Sequence, residues 1–151
     1  MKLLFIVLLL GTLLLPLQAF AGLGSDETSI SGDQSQMKGS LRVRQAGPYA
    51  VHEIHAASGT VVREYVSSAG LVFAVTWQGP FVPNMEQLLG SYFQQYSAGV
   101  QATKAAYVGR RPLNLQLPGL VVQMNGYMRS FHFRAYIPQQ IPAGAKAEEL
   151  W

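Results

Sequence analysis

The sequence predicts an α+β domain in which one amphipathic helix packs across an antiparallel β-sheet. Residues 49–79 contain three runs of β-branched and aromatic residues separated by short turns, which is typical of a three-stranded meander. Apolar residues recur at helical spacing over residues 85–96, and a C-terminal hairpin over residues 119–137 completes the sheet. This order of elements favours one sheet with the helix on its apolar face.

The first turn of the meander decides which charged residues face each other. Residues 57–59 form a three-residue loop that ends in glycine, a common hairpin connection. This loop places Glu53 opposite Arg63 and His52 opposite Glu64 on the neighbouring strand. A register shifted by one residue would instead pair Glu53 with Glu64, and the pKa of one carboxyl would then rise.

The helix has sequence signals at both ends. Pro80 and Pro83 end the preceding strand, because proline cannot donate a hydrogen bond to a sheet. Asn84 is the predicted N-cap with Gln87 completing a capping box, and Gly99 is the predicted C-terminal stop. The predicted apolar stripe consists of Met85, Leu88, Leu89, Tyr92, Phe93 and Tyr96.

Asn125 and Gly126 are predicted to form the turn of the C-terminal hairpin, since this dipeptide favours two-residue turns between strands. Two further strands are left open. Residues 40–44 show a weak alternation of apolar and polar residues, and residues 113–117 follow a long connection without clear periodicity.

The first 21 residues predict a signal peptide. Lys2 precedes an apolar run, and the small residues Ala19 and Ala21 flank Phe20 in a pattern that signal peptidases accept. The protein is therefore expected to be cleaved after Ala21 and exported to the periplasm or the medium.

The remaining chain is predicted to form one domain with flexible ends. Residues 22–47 are rich in small and polar residues and are expected to be a flexible leader. Residues 48–144 form the single α+β domain, and residues 145–151 form a tail. About 130 residues are enough for one hydrophobic core.

Composition limits the classes of function. Without Lys2, the chain has ten basic and eight acidic residues, and its longest basic run is Arg110-Arg111. Nucleic-acid binders usually carry a denser basic stripe, so no nucleic-acid partner is expected. The chain has no cysteine, which excludes thiolate chemistry. After residue 21, no apolar run reaches the roughly 20 residues of a membrane span.

One group of polar residues is a candidate for metal or acid–base chemistry. In a strand, residues three apart face opposite sides, so His52 and His55 are not expected to bind one ion together. Cross-strand ion pairing is the favoured interpretation of this group. The candidate cluster consists of His52, Glu53, His55, Arg63, Glu64 and His132.

A second candidate is an aromatic surface that binds a ligand or a partner. Trp77 and Phe81 flank the corner at the end of the third strand, where part of an aromatic surface can stay open. Arg129 and Arg134 in the last hairpin are candidates to line the same groove.

Four segments of the sequence resemble a known family: VREYV, VFAVTW, LLGSYF and RAYIP. The chain is similar to the domain-of-unknown-function family 2844, whose members are short exported proteins, mostly from proteobacteria. The similarity runs from about Leu41 to Gly144. The resemblance implies export and a single domain, and it implies no activity, cofactor or catalytic residue.

The leading hypothesis is a non-enzymatic exported binding or interaction module without a cofactor. Its partner is expected to be another envelope protein or a small apolar or sugar ligand. The alternative is a small hydrolase or metal-dependent enzyme that uses Glu53, His55, Glu64 and His132. The sequence lacks the known nucleophile-turn, phosphate-loop and zinc-protease motifs. A third hypothesis is partner binding by strand addition at a sheet edge.

Overall fold

The computed structural model describes residues 22–106 and 112–151, so the predicted signal peptide lies outside the described residues. Within them, one antiparallel sheet has the strand order β1-β2-β3-β4-β7-β6-β5. The α+β class is confirmed. The sheet has seven strands, two more than the predicted three-stranded meander and hairpin together. The strands are β1 (Ser40–Ala46), β2 (Tyr49–His55), β3 (Val61–Ser67), β4 (Val72–Gly79), β5 (Leu113–Leu117), β6 (Leu120–Tyr127) and β7 (Ser130–Tyr136).

The two additional strands, β1 and β5, lie at the edges of the sheet. All seven residues of β1 pair with β2, and all five residues of β5 pair with β6. β1 has few apolar residues, and the alternating leucines of β5 follow a long connection without periodicity, so the sequence only hinted at these strands. Backbone pairing with a well-patterned neighbour stabilises them in a way that their own side chains do not reveal.

The predicted register between β2 and β3 is confirmed. Glu53 lies opposite Arg63, and His52 lies opposite Glu64. The three-residue turn between the strands therefore excludes the alternative Glu53–Glu64 pair.

The predicted helix is divided into α2 (Met85–Leu89), a 3-10 turn (Gly90–Tyr92) and α3 (Phe93–Ala106). Asn84 is the N-cap as predicted, because its side chain accepts a hydrogen bond from the Gln87 backbone N–H. The break occurs at Gly90, whose φ of 50° is not helical. The predicted stop at Gly99 was wrong: α3 continues through it, and the missing side chain lets the helix approach Leu115 and Leu117 of β5.

The turn of the last hairpin lies three residues after the predicted one. Met128 and Arg129 form it, with φ values of 46° and 66°, which fits a type I′ turn. Asn125 and Gly126 belong to β6 and pair with His132 and Phe131. A side chain at Gly126 would collide with the backbone of Phe131. Glycine is therefore required here because β7 approaches closely, and not because the chain turns.

One face of the sheet, here called the covered face, lies beneath the helices. Trp77 and Phe133 stack at its centre, with ring centroids 5.7 Å apart and an interplanar angle of 11°. Helix side chains Leu88 and Leu89 are fully buried against it. The buried strand residues of this core are Ile54, Val62, Val66, Val72, Val75, Trp77, Leu115, Leu120, Val122, Phe133 and Ala135.

The predicted flexible leader is folded, and this prediction is corrected. Residues 22–39, here called the N-terminal segment, contain a 3-10 turn (Glu27–Ser29) and helix α1 (Ile30–Gln36). Leu23 and Ile30 are each only 1% exposed and belong to the core of the covered face. The polar composition of residues 22–47 did not indicate this packing, because two apolar side chains barely change the mean hydropathy of the segment.

The opposite face of the sheet, here called the open face, is covered only in part. Residues 138–151, here called the C-terminal segment, were predicted in part as a tail but pack on one end of this face. Leu150 is fully buried there beside Tyr49, Tyr65 and Phe73. A bulge between β3 and β4 directs Phe73 and Ala74 into the same cluster.

Replacing Ile30 by alanine tests whether the N-terminal segment belongs to the folded core. We expect Ile30→Ala to lower the free energy of unfolding by about 2–4 kcal/mol, because it leaves a cavity between α1 and the sheet. Gln36→Ala, an exposed position in the same helix, is the control and should change stability by less than about 0.5 kcal/mol. Equal stability of both variants in urea denaturation would show that the segment is detached.

Candidate functional site

The structure divides the predicted polar cluster between the two faces of the sheet. His52 and Glu64 lie on the covered face, and Glu53, His55, Arg63 and His132 lie on the open face. His55 and His132 share one cross-strand row but are three strands apart, about 14 Å. The described residues contain no group of three or more histidine or acidic side chains that could hold a metal ion. The four residues of the predicted enzyme site are therefore not brought together.

On the open face, Glu53 binds two neighbours. Its Oε2 accepts a hydrogen bond from Arg63 Nε at 2.6 Å, and its Oε1 lies 2.6 Å from His55 Nε2. Partial burial alone would raise the pKa of Glu53, but the hydrogen bonds from His55 and Arg63 outweigh it and lower the pKa below its usual value. This part of the cluster is a cross-strand ion pair, as predicted.

On the covered face, Glu64 forms a buried acid pair with Asp33 of α1. Both side chains have no exposed surface. Sequence reasoning missed Asp33, because it belongs to a segment predicted to be flexible. Gln87 of α2 donates a hydrogen bond from Nε2 to Asp33 Oδ1, so α1, α2 and β3 meet at this point. The predicted capping box is incomplete, since the Gln87 side chain binds Asp33 here.

The acid pair requires a proton. No donor among the described residues reaches either carboxylate oxygen of Glu64 or Oδ2 of Asp33. Burial raises the pKa of Glu64 well above its usual value, and the negative charge of Asp33 raises it further. Burial also raises the pKa of Asp33, although the hydrogen bond from Gln87 opposes this effect. A proton shared between the two carboxyl groups satisfies both at once.

A second contact ties the N-terminal segment to the sheet. His52 of β2 is 6% exposed, and its Nε2 lies 3.1 Å from Glu27 Oε1. The two side chains also line a cavity of about 440 Å³ between the segment and the sheet. His52 and Glu27 therefore link β2 to the N-terminal segment.

The predicted aromatic surface is not assembled. Trp77 is 1% exposed and belongs to the core of the covered face. Phe81 is 49% exposed, and the Arg129 guanidinium carbon lies 5.2 Å from its ring centroid. Arg134 lies on the opposite, open face, where it is 8% exposed. Strand alternation separates Trp77 from Arg134, because Arg134 lies directly opposite Thr76 in the sheet.

Arg134 instead supports a different aromatic residue, Trp151. Its guanidinium carbon lies 4.3 Å from the centroid of the Trp151 ring, in a cation–π contact. Arg134 Nη1 donates to the Ala147 carbonyl at 2.6 Å, and its Nε and Nη2 donate to Gln123 Oε1. These hydrogen bonds fix both the guanidinium and the neighbouring amide.

Beside this contact lies a recess of about 240 Å³, here called the Trp151 recess. Asn114 of β5 and Gln123 and Asn125 of β6 give it three amide side chains, and the half-exposed Trp151 ring forms one wall. No local pattern in the sequence points to this recess. Asn114, Gln123 and Trp151 are distant in sequence and meet only through the β5-β6-β7 register and the folding of the C-terminal segment.

Comparison with known proteins gives a family and no further match. The model of a family described as a protein of unknown function (DUF2844) matches residues 19–150. The chain belongs to this family. Comparisons of this DUF2844 protein with curated proteins and with solved structures found no match. Among its described helices, none combines the length and the apolarity needed to cross a bilayer.

The acid pair predicts a loss of stability as the pH rises. The pKa of Glu64 is higher in the folded protein than in the unfolded chain, so the folded state binds more protons between these two values. The stabilisation from protonated Glu64 is complete below the usual carboxyl pKa. It is lost as the pH rises through the raised pKa of Glu64 in the folded protein. In Glu64→Gln, an uncharged amide takes the place of the protonated acid. We expect wild-type unfolding free energy to fall between pH 5 and pH 8 by about 1–3 kcal/mol more than that of this variant.

Glu53→Gln is the control, because the pKa of Glu53 is shifted in the opposite direction. Its ion pair contributes stability above the usual carboxyl pKa, so this variant should lose about 0.2–1 kcal/mol at pH 7 and keep the wild-type slope between pH 5 and pH 8. Parallel slopes for wild type and Glu64→Gln in urea denaturation would contradict a shared proton in the acid pair.

Proposed function

We propose that this protein is an exported binding module that recognises a saccharide at the Trp151 recess. The observation that supports this function is an exposed tryptophan ring, fixed by a buried arginine, beside three amide side chains. The Lys2-led apolar run and the small residues before Gly22 support export.

The tryptophan provides the apolar part of the site. A pyranose ring has apolar faces of C–H groups, and these faces stack on the electron-rich face of an aromatic ring. Trp151 is 47% exposed although its ring packs on Arg134, so aromatic surface remains accessible to a ligand. The hydrogen bonds from Arg134 to Ala147 and Gln123 hold the guanidinium in place and thereby preorganise the ring.

The amides provide the polar part. A carboxamide offers both donors and acceptors, which matches hydroxyl groups that also donate and accept. Because Arg134 donates hydrogen bonds to the side-chain oxygen of Gln123, the amide nitrogen of Gln123 is left as a donor for a ligand. Asn114 and Asn125 are exposed on the same face and flank Gln123. A small number of placed polar groups beside an apolar wall is typical of ligand sites.

Replacing Trp151 tests this function. On an array of neutral and acidic oligosaccharides, we expect the mature protein to bind a defined subset and Trp151→Ala to bind at least about tenfold more weakly, because the stacking surface is lost. Phe81→Ala is the matched control, since it removes an aromatic ring of similar exposure outside the recess and should leave binding unchanged. An array without wild-type signal, or equal signals for wild type and Trp151→Ala, would contradict saccharide binding at this site.

A further inference from the structure

The strand register separates charge between the two sides of the sheet. The strands place four arginines on the open face against the single acid Glu53: Arg42, Arg44, Arg63 and Arg134. The C-terminal segment adds Lys146, Glu148 and Glu149 to this side. The covered side holds Lys38 and Lys104 against Asp26, Glu27, Asp33, Glu64 and Glu86. Among the described residues, the open side is therefore basic and the covered side acidic.

Three of the four arginines, Arg42, Arg63 and Arg134, belong to one polar row that leads to the Trp151 recess. Directly paired residues cross the whole sheet in the order Arg42, Glu53, Arg63, Thr76, Arg134, Gln123 and Asn114. Neighbouring strands are about 4.8 Å apart, so the row is about 29 Å long. Thr76 and Arg134 in the middle of the row are buried, so an extended ligand seated at the recess would pass over the C-terminal segment to reach the exposed outer end of the row.

Two arginines of β1, one at the outer end of the row and one beside it, have no partner that neutralises them. Arg63 is paired with Glu53, but Arg42 and Arg44 are exposed and form no ion pair among the described residues. They lie on the same face of β1, two residues apart, so their charges add along the edge of the sheet. Uncompensated like charges on one face attract an anion and favour its approach.

From this charge complementarity we infer that the ligand is an acidic polysaccharide, a chain whose sugar rings carry carboxylate or other anionic groups. This inference rests on the proposed function. One sugar stacks on Trp151, and the following units extend across the sheet so that their anionic groups meet Arg42 and Arg44. Arg134 is buried beneath Trp151 and acts by positioning the ring.

A single-stranded nucleic acid is the other polyanion to consider, and the open face suits it less well. Such ligands need successive aromatic platforms for stacking bases. Tyr65 lies beside the row and is buried. Tyr127 is 67% exposed on the same face, but it lies four residues along β6 from Gln123 and outside the row, so Trp151 is the exposed aromatic that a chain along the row would meet. One stacking position followed by a polar row fits a hydroxyl-rich chain better than a chain of bases.

The test is isothermal titration of the mature protein with an oligogalacturonide, its methyl ester and a single-stranded oligonucleotide of equal charge. The acid and its ester share one sugar backbone and differ in charge. We expect the acid to bind at least about tenfold more tightly than the ester at low salt, and this difference to shrink as salt increases. Arg42→Gln/Arg44→Gln should weaken binding of the acid about tenfold and leave binding of the ester unchanged. Lys38→Gln/Lys104→Gln removes the same charge from the covered side and should have no effect.

The outcomes separate this inference from the proposed function. If acid and ester bind equally and both depend on Trp151, the saccharide site stands and the acidic ligand is excluded. If the oligonucleotide binds as tightly as the oligogalacturonide, the acidic polysaccharide is also excluded. If neither sugar binds, and the array shows no Trp151-dependent signal, both proposals fail.

Discussion

The buried contact between Asp33 and Glu64 is the constraint on which the arrangement of the domain depends. It joins α1, β3 and, through Gln87, α2, at a point from which water is excluded. Burying two carboxyl groups is unfavourable unless one of them is protonated. The apolar core offsets this cost, because Leu23 and Ile30 of the same segment are buried in it. The contact thereby fixes the N-terminal segment over one face of the sheet.

Covering one face leaves the other available for function. Side chains alternate along every strand, so one register both buries the apolar residues and collects Arg42, Arg63 and Arg134 on the opposite face. The C-terminal segment then covers one end of that face and positions Trp151 on Arg134. The proposed saccharide site is thus a consequence of the same pairing that forms the core, and no motif within any single strand encodes it.

Sequence reasoning succeeded where a local signal determines the structure. The three-residue turn at residues 57–59 fixed the Glu53–Arg63 register, and Asn84 capped its helix. It failed where a distant contact overrides the local signal. Asn125-Gly126 has the strongest local turn preference, but the approach of β7 at Phe131 requires this glycine inside a strand. The leader and the tail have polar compositions, but Leu23, Ile30 and Leu150 each enter a core formed by other segments. The partners of Asp33 and Trp151 are equally remote in sequence, so neither site was predictable.

The most direct test of this account is to follow the side-chain carboxyl carbons of Asp33 and Glu64 by ¹³C NMR in the folded mature protein across a pH titration. The account predicts two coupled titrations, with the pKa of Glu64 well above that of an exposed glutamate and a simultaneous response at Asp33. Glu53 provides an internal reference, because its pKa is lowered by Arg63 and His55. Independent titration of Asp33 and Glu64 at the usual carboxyl values would contradict the shared proton and, with it, the anchoring of the N-terminal segment.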